Sequence, residues 1–140
     1  MIRLLARRAA VHESGHAIAA ICYSLPVREV IIDADGCGVT RYWAERFGRE
    51  RAEAWVITTY AGPEAEHDIF GDSAAGGDLR AIDAMMQRLG LDWTERKLAG
   101  MRSAARRLVE RERCNISTVA DALIEHRHLT AADAKRLLRM

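Results

Sequence analysis

The sequence has few of the residues that mark secreted, fibrous or membrane proteins. It contains only two prolines and three cysteines among 140 residues, and aromatic residues make up 6%. Cys22, Cys37 and Cys114 are odd in number and far apart, which argues against a disulfide framework or a thiolate zinc site. The longest apolar stretch, Ala17 to Tyr23, is much shorter than the roughly 20 residues that a membrane-spanning helix needs. We therefore expect a globular chain with no membrane segment.

What the sequence does contain is typical of one globular domain, which we place over residues 1–140. Apolar residues make up 49% and charged residues 29%, so a core can form without disulfides. The arginines near the start precede no apolar block with a small-residue cleavage site, so no secretory signal is predicted and the cytoplasm is the expected compartment. Basic residues concentrate after Trp93, where they interleave with glutamates at helical spacing. This pattern favours a solvated helix face over a nucleic-acid surface.

The hydrophobic pattern predicts a mainly α-helical (α+β) fold with one small β-hairpin. A helix is expected from Ile2 to Ser24, because this segment is rich in Ala, Leu, Ile and Arg and has no internal proline. β-Branched residues over Val27–Asp33 and again over Val39–Trp43, separated by glycines, predict the hairpin beside that helix. A second helical segment is predicted over Ala44–Tyr60 and on to Phe70, as one helix or two abutting ones. Further helices are predicted from Asp78 to Leu89 and over Asp92–Arg113. The last two are predicted over Ser117–Arg127, with Ser117 as its cap, and over Ala131–Arg139, opened by Thr130 with Asp133.

The first predicted helix carries the most informative motif, an H-E-x-x-H formed by His12, Glu13 and His16. Two histidines four residues apart share one face of a helix, so both imidazoles can reach a single Zn²⁺. Neutral imidazole leaves the charge of the metal intact, which lowers the pKa of a bound water to about 7. Glu13 lies about 100° around the helix from His12, where its carboxylate can act as the general base.

A catalytic zinc site needs a third protein ligand, and the residues after His16 do not supply one. They lack the further G-x-x-H of metzincins, and Gly36 stands about where thermolysin-like enzymes offer a Glu. The candidates lie in or around a glycine-rich loop: Glu64, Glu66, His67, Asp68, Asp72 and Asp78. Asp78 is the best placed, because it opens a helix behind glycines that let the backbone approach a metal closely.

Four blocks of the sequence, taken together, resemble the zinc-peptidase domain of FtsH-type proteases, and they occur in the family's order. They are HESGHA at His12–Ala17, VREVIIDADGCGVTRY at Val27–Tyr42, YAGPEAEHDIFG at Tyr60–Gly71 and AAGGDLRAIDAMMQRLGLD at Ala74–Asp92. The segment Leu123–Leu138 is also similar to the family's closing helices. The resemblance implies a zincin-like helical domain with a small hairpin or short sheet next to the H-E-x-x-H helix.

The resemblance also implies roles for individual residues. His12, His16 and Asp78 match the family's ligands of one Zn²⁺ per chain, Glu13 matches its general base, and Glu66 matches an acidic residue suited to supporting a ligating histidine. The block around Glu66 departs from the family's GRAAEE, and the neighbouring His67 keeps open whether it, rather than Asp78, completes the metal site. The family places a transmembrane segment and an AAA+ ATPase ahead of this domain, so a separate delivery partner or ATPase is also an open expectation.

These observations predict a zinc-dependent metalloendopeptidase that cleaves flexible or unfolded polypeptide segments. We expect Gly38, Val39 and Thr40 to bind substrate by pairing an edge strand with an extended peptide. Two alternatives stay open, namely a non-catalytic zinc-binding adaptor and a small regulatory peptidase that cleaves one specific protein. A monomer and a small oligomer are equally compatible with the sequence.

Overall fold

The computed structural model describes residues 2–43 and 47–138, which contain six helices and three strands. In chain order these are α1 (Ile2–Cys22), β1 (Val27–Ile32), β2 (Gly38–Tyr42), α2 (Arg49–Phe70), α3 (Gly76–Leu89), α4 (Glu95–Arg111), α5 (Arg113–His126), β3 (His128–Thr130) and α6 (Ala131–Leu137). The predicted mainly helical fold with a small sheet is confirmed. Parts of two predicted helices, residues 44–46 and 139, lie outside the described residues. None of the described helices combines the length and apolar character needed to cross a membrane.

The sheet has the order β2-β1-β3 and is antiparallel throughout. Its hairpin is the predicted one: Val30 on β1 lies opposite Thr40 on β2. On its other side, Val30 lies opposite Leu129 on β3, a strand that the sequence did not predict. Three residues are too few to show an alternating pattern. Strand β3 follows α5 after Arg127, the residue in left-handed conformation at which that helix ends. One edge of the central strand β1 is thereby covered, and β2 remains an edge strand.

Two details of the helix boundaries show where local signals succeed and fail. The predicted cap at Thr130 is confirmed, because its side chain accepts a hydrogen bond from the Asp133 backbone N–H while the Asp133 carboxylate accepts one from Thr130. The predicted cap at Ser117 is wrong, since α5 already begins at Arg113 and Ser117 lies inside it. Ala, Val and Ile residues on both sides keep that segment buried against α1, and tertiary packing outweighs the local capping signal.

Helix α1 lies at the centre of the fold, where it packs against α2, α5 and the sheet. Its contact with α2 is close because Gly15 has no side chain. A β-carbon there would collide with the Ala61 carbonyl oxygen and lie 2.8 Å from the β-carbon of Ala65. The α2 helix continues through Gly62 and Pro63 as one helix, and both residues are buried. The backbone of α2 therefore passes directly over the face of α1 that carries the H-E-x-x-H motif.

Candidate metal centre

The two histidines of the motif lie side by side on α1, as their spacing predicts. The centroids of the His12 and His16 rings are 4.8 Å apart, with the rings inclined at 75°. Both Nε2 atoms face Asp78, in the first turn of α3: the His12 Nε2 atom is 2.8 Å from Asp78 Oδ2, and the His16 Nε2 atom is 3.5 Å from Asp78 Oδ1. Three side chains from two distant segments thus direct nitrogen and oxygen atoms toward one point.

The opposite nitrogen of each ring has its own partner. His16 Nδ1 donates a hydrogen bond to the backbone carbonyl oxygen of Thr58 at 2.9 Å, and His12 Nδ1 contacts a carboxylate oxygen of Glu66. Glu66 is buried on α2, at the position that the resemblance assigned to a supporting acid. When Nδ1 carries the proton, the lone pair of each ring lies on Nε2, on the side of Asp78.

Arg8, which sequence reasoning missed, joins the carboxylates around this centre. Its guanidinium lies 4.9 Å from the centroid of the Phe70 ring and donates to Glu66 Oε2 at 3.3 Å and to the Asp72 carbonyl oxygen at 3.2 Å. It also contacts the Asp72 carboxylate. Arg8 therefore holds Glu66 and the start of the loop that leads to Asp78. Its position one helical turn before His12 was the available signal, because residues four apart share a helix face.

The space in front of the two rings depends on Gly62. A β-carbon on this residue would lie 2.5 Å from His16 Cε1 and 2.8 Å from His12 Nε2. Carbon atoms in van der Waals contact are about 3.5–4.0 Å apart, so no larger residue fits here without moving an imidazole. Glycine thus lets α2 lie against α1 and leaves the Nε2 atoms unobstructed.

Glu13 is buried beside the histidines, 7% exposed, and is held by the second strand. The Thr40 hydroxyl donates a hydrogen bond to Glu13 Oε1 at 2.8 Å. Gly38 lies against the same side chain, since a β-carbon there would be 2.7 Å from Glu13 Cγ. The carboxylate is consequently held next to the histidines, the place that the motif predicts for a general base.

These groups line one cavity of about 350 Å³ between α1, β2, α2 and α3. All three residues predicted to bind substrate, Gly38, Val39 and Thr40, form part of its wall. Tyr42 and Trp55 add aromatic surface to the wall. The metal-binding, general-base and substrate candidates therefore share one opening. A larger hollow lined by Arg3, Arg7 and Arg127 lies elsewhere on the surface.

The charges at the centre perturb the titration of its members. Burial disfavours the charged form of His12, but hydrogen bonds with Asp78 and Glu66 outweigh it and raise the pKa of His12 to about 10. Burial likewise opposes the ionised form of Asp78, yet hydrogen bonds with His12 and His16 hold its pKa well below the ordinary value. Burial, reinforced by the negative charges of Glu13 and Asp78, raises the pKa of Tyr42 far above its usual range. Tyr42 is therefore a neutral phenol at physiological pH.

The competing candidates for a third ligand lie away from the cavity or are engaged elsewhere. His67 is exposed and borders a separate depression together with Glu64 and Asp68. Glu64 pairs with arginines of α4, Asp68 pairs with Arg113 of α5, and Asp72 contacts Arg8. Asp78 alone among the six candidates contacts the Nε2 atoms of the motif histidines within the described part of the chain.

The donor set fits a divalent cation with a preference for nitrogen and oxygen. Ligand atoms of His12, Glu13 and His16 lie within 4.8 Å of one another, and carboxylate oxygens of Asp78 lie 2.8 Å from His12 Nε2 and 3.5 Å from His16 Nε2. Two imidazoles and one carboxylate are common protein ligands of catalytic zinc. A cation between Nε2 of His12 and Asp78 would take the place of the proton that these groups share. No protein-family model matches the chain, and a comparison with curated proteins gives no significant match.

Proposed function

We propose that this protein is a zinc-dependent peptidase. One observation carries the proposal: the Nε2 atoms of His12 and His16 and the Asp78 carboxylate converge beside a buried glutamate, in a cavity bordered by an edge strand. The distances among these groups suit a single cation, and the partners on the far side of each ring fix the ring orientations. Two histidines that served only to pack the core would not require a buried glutamate and an open cavity beside them.

The chemistry assigns a separate task to each side chain. Zn²⁺ bound by His12, His16 and Asp78 would polarise the scissile carbonyl and lower the pKa of a coordinated water to about 7. The Glu13 carboxylate accepts a proton from the attacking water, whose oxygen forms the new bond to the carbonyl carbon. When the C–N bond breaks, Glu13 delivers that proton to the leaving amine. Glu66 holds the His12 ring, and the Thr58 carbonyl holds the His16 ring.

The substrate we propose is an extended polypeptide segment. Strand β2 pairs with β1 on one side and with no other strand among the described residues, so its outer edge can add a peptide as a further strand. Val39 is 39% exposed and lies at the cavity wall on that edge. Edge pairing requires an extended backbone, which folded helices do not offer. The enzyme therefore acts on flexible or unfolded segments, alone or after a partner delivers them.

The deciding experiment compares zinc-loaded wild type with Glu13→Gln on unfolded casein. The wild type should fragment casein in a chelator-sensitive manner, whereas Glu13→Gln should retain zinc and lose cleavage. Glu125→Gln, a change at an exposed glutamate, serves as the matched control and should remain active. Equal cleavage by wild type and Glu13→Gln would refute the proposal. Zinc binding without any cleavage by wild type would favour the adaptor, and cleavage confined to one native protein would favour the regulatory peptidase.

The ligand assignment has its own test. Asp78→Ala should abolish stoichiometric zinc binding, because it removes the group that faces both Nε2 atoms. His67→Ala, at an exposed residue away from the cavity, should bind zinc like the wild type. Metal analysis of the purified variants checks both expectations. The reverse pattern would show that His67 is the third ligand.

A further inference from the structure

The face of β2 that meets α1 carries three residues in alternation, Gly38, Thr40 and Tyr42. Each has a size that suits its place at the cavity. Gly38 leaves room for the Glu13 side chain, Thr40 reaches the Glu13 carboxylate with its hydroxyl, and Tyr42 forms part of the wall. The strand therefore touches the proposed general base at two successive positions of one face.

The Thr40 contact is directed and specific. Its hydroxyl donates to Glu13 Oε1 at 2.8 Å and lies 3.4 Å from the Glu13 backbone carbonyl oxygen. Because one hydroxyl has a single proton to donate, the much shorter contact with the carboxylate is the principal bond. Gly38 lies against the same side chain, because a β-carbon added there would be 3.1 Å from Oε2. The carboxylate thus has little freedom to rotate away from the histidines.

We propose that Thr40 is a positioning residue that holds Glu13 in the orientation required for proton transfer. This inference rests on the proposed peptidase function. The same strand has two roles: its outer edge pairs with the substrate, and its inner face holds the general base. Pairing of a peptide with β2 thereby sets the distance between the scissile bond and Glu13. Loss of the Thr40 hydroxyl reduces the rate of the chemical step more than it reduces substrate binding. The reason is that the backbone edge of β2, which pairs with the peptide, stays intact.

The test replaces Thr40 with valine, which keeps the shape and strand preference but removes the hydroxyl. With a fluorogenic peptide spanning a casein site cut by the wild type, kcat of Thr40→Val should fall roughly 10- to 100-fold, as expected for a lost hydrogen bond to a charged group. KM should change by less than about threefold, because edge pairing uses backbone groups. Bound zinc should match the wild type, so that the fall in kcat reports on Glu13 rather than on loss of the metal.

Two variants separate positioning from a structural role. Thr40→Ser retains the donor and should recover kcat to within about threefold of wild type. In a Glu13→Gln background, Thr40→Val should leave the bound zinc unchanged, since the hydroxyl contacts the Glu13 side chain and none of the proposed metal ligands. Thr118→Val is the matched control: Thr118 is exposed and its hydroxyl bonds only to the Cys114 carbonyl oxygen among the described residues. This change should leave activity unaltered.

The outcomes distinguish this inference from the function on which it depends. Full activity of Thr40→Val, equal defects in the valine and serine variants, or a loss of zinc would overturn the positioning role while leaving the peptidase proposal intact. Inactive wild type, or a Glu13→Gln enzyme as active as the wild type, would instead overturn both.

Discussion

Replacement of Gly62 with alanine tests the proposed metal centre through a single methyl group. The added carbon would lie 2.5 Å from His16 Cε1 and 2.8 Å from His12 Nε2, atoms that belong to the two proposed zinc ligands. Ordinary carbon contacts are about 3.5–4.0 Å, so the rings must move by about 1 Å to accommodate it. Metal–ligand distances normally lie within about 0.2 Å of their standard values, so ring movements of this size should disturb the binding of one metal by both imidazoles.

Gly62→Ala should have a large effect on zinc affinity and a smaller effect on the stability of the metal-free protein. Loss of correct ligand orientation should weaken zinc affinity by roughly 100-fold or more, equivalent to about 2.7 kcal/mol. Alanine in a helix interior is favoured over glycine by about 1 kcal/mol, which offsets part of the steric cost in the metal-free protein. The metal-free Gly62→Ala protein should therefore remain folded. Zinc at 100 times its dissociation constant stabilises a protein by about 2.7 kcal/mol, and this increment should be absent from the variant.

The assay is thermal unfolding with and without zinc, supported by direct titration of the metal. Zinc should raise the melting temperature of the wild type by roughly 10 °C, and that of Gly62→Ala by far less. Gly100→Ala is the matched control, because its β-carbon would meet nothing within 4 Å in the interior of α4. It should be stabilised by about 1 kcal/mol and should bind zinc normally.

A third alanine variant separates crowding of the histidines from crowding of the helices. A β-carbon at Gly15 collides with the backbone carbonyl of Ala61, so Gly15→Ala should lower stability with or without zinc. If Gly62→Ala bound zinc as tightly as Gly100→Ala does, the Nε2 atoms of His12 and His16 would not be the metal-binding atoms. The assignment of the centre would then be wrong.

Two further predictions concern the groups around the centre. Arg8→Gln should weaken zinc binding about tenfold in a metal titration, because Glu66 and the Asp72 segment lose their shared partner. Arg7→Gln, at a more exposed arginine, should bind zinc normally. Equal zinc affinities of the two variants would contradict the role of Arg8. The Arg113 guanidinium holds the pKa of Asp68 below its ordinary value, so this pair contributes stability above the unfolded pKa of about 4 and loses it as the pH falls through the folded pKa. In urea unfolding, Asp68→Asn should be about 0.5 kcal/mol less stable than wild type at pH 7. This difference in the free energy of unfolding should disappear at low pH. A difference that stayed constant with pH would exclude the charge pair as its source.

The parts of the site that the sequence could predict are those set by local helix geometry. Residues four apart share a face in any α-helix, so the approach of His12 to His16 follows from spacing alone. Asp78 was one of six candidates, and local chemistry could rank it first without excluding the others. Its contact with both Nε2 atoms depends on how α3 packs against α2, which no local pattern encodes. The short strand β3 was missed for the same reason, since it exists only through its pairing with β1.

The residues that sequence reasoning missed are those whose roles arise between elements. Gly62 beside Pro63 suggests a break in a helix, yet α2 continues through both residues. The imidazoles that lie against Gly62 explain why a glycine is needed there. Gly15 plays the complementary part on α1, where Ala61 is its neighbour. Because Gly15 and Gly62 face opposite partners across one interface, they set the distance between the two helices from both sides. Because protein interiors are closely packed, a larger residue at either position would change the distance between α1 and α2. The contact of Glu66 with His12 therefore depends on both glycines.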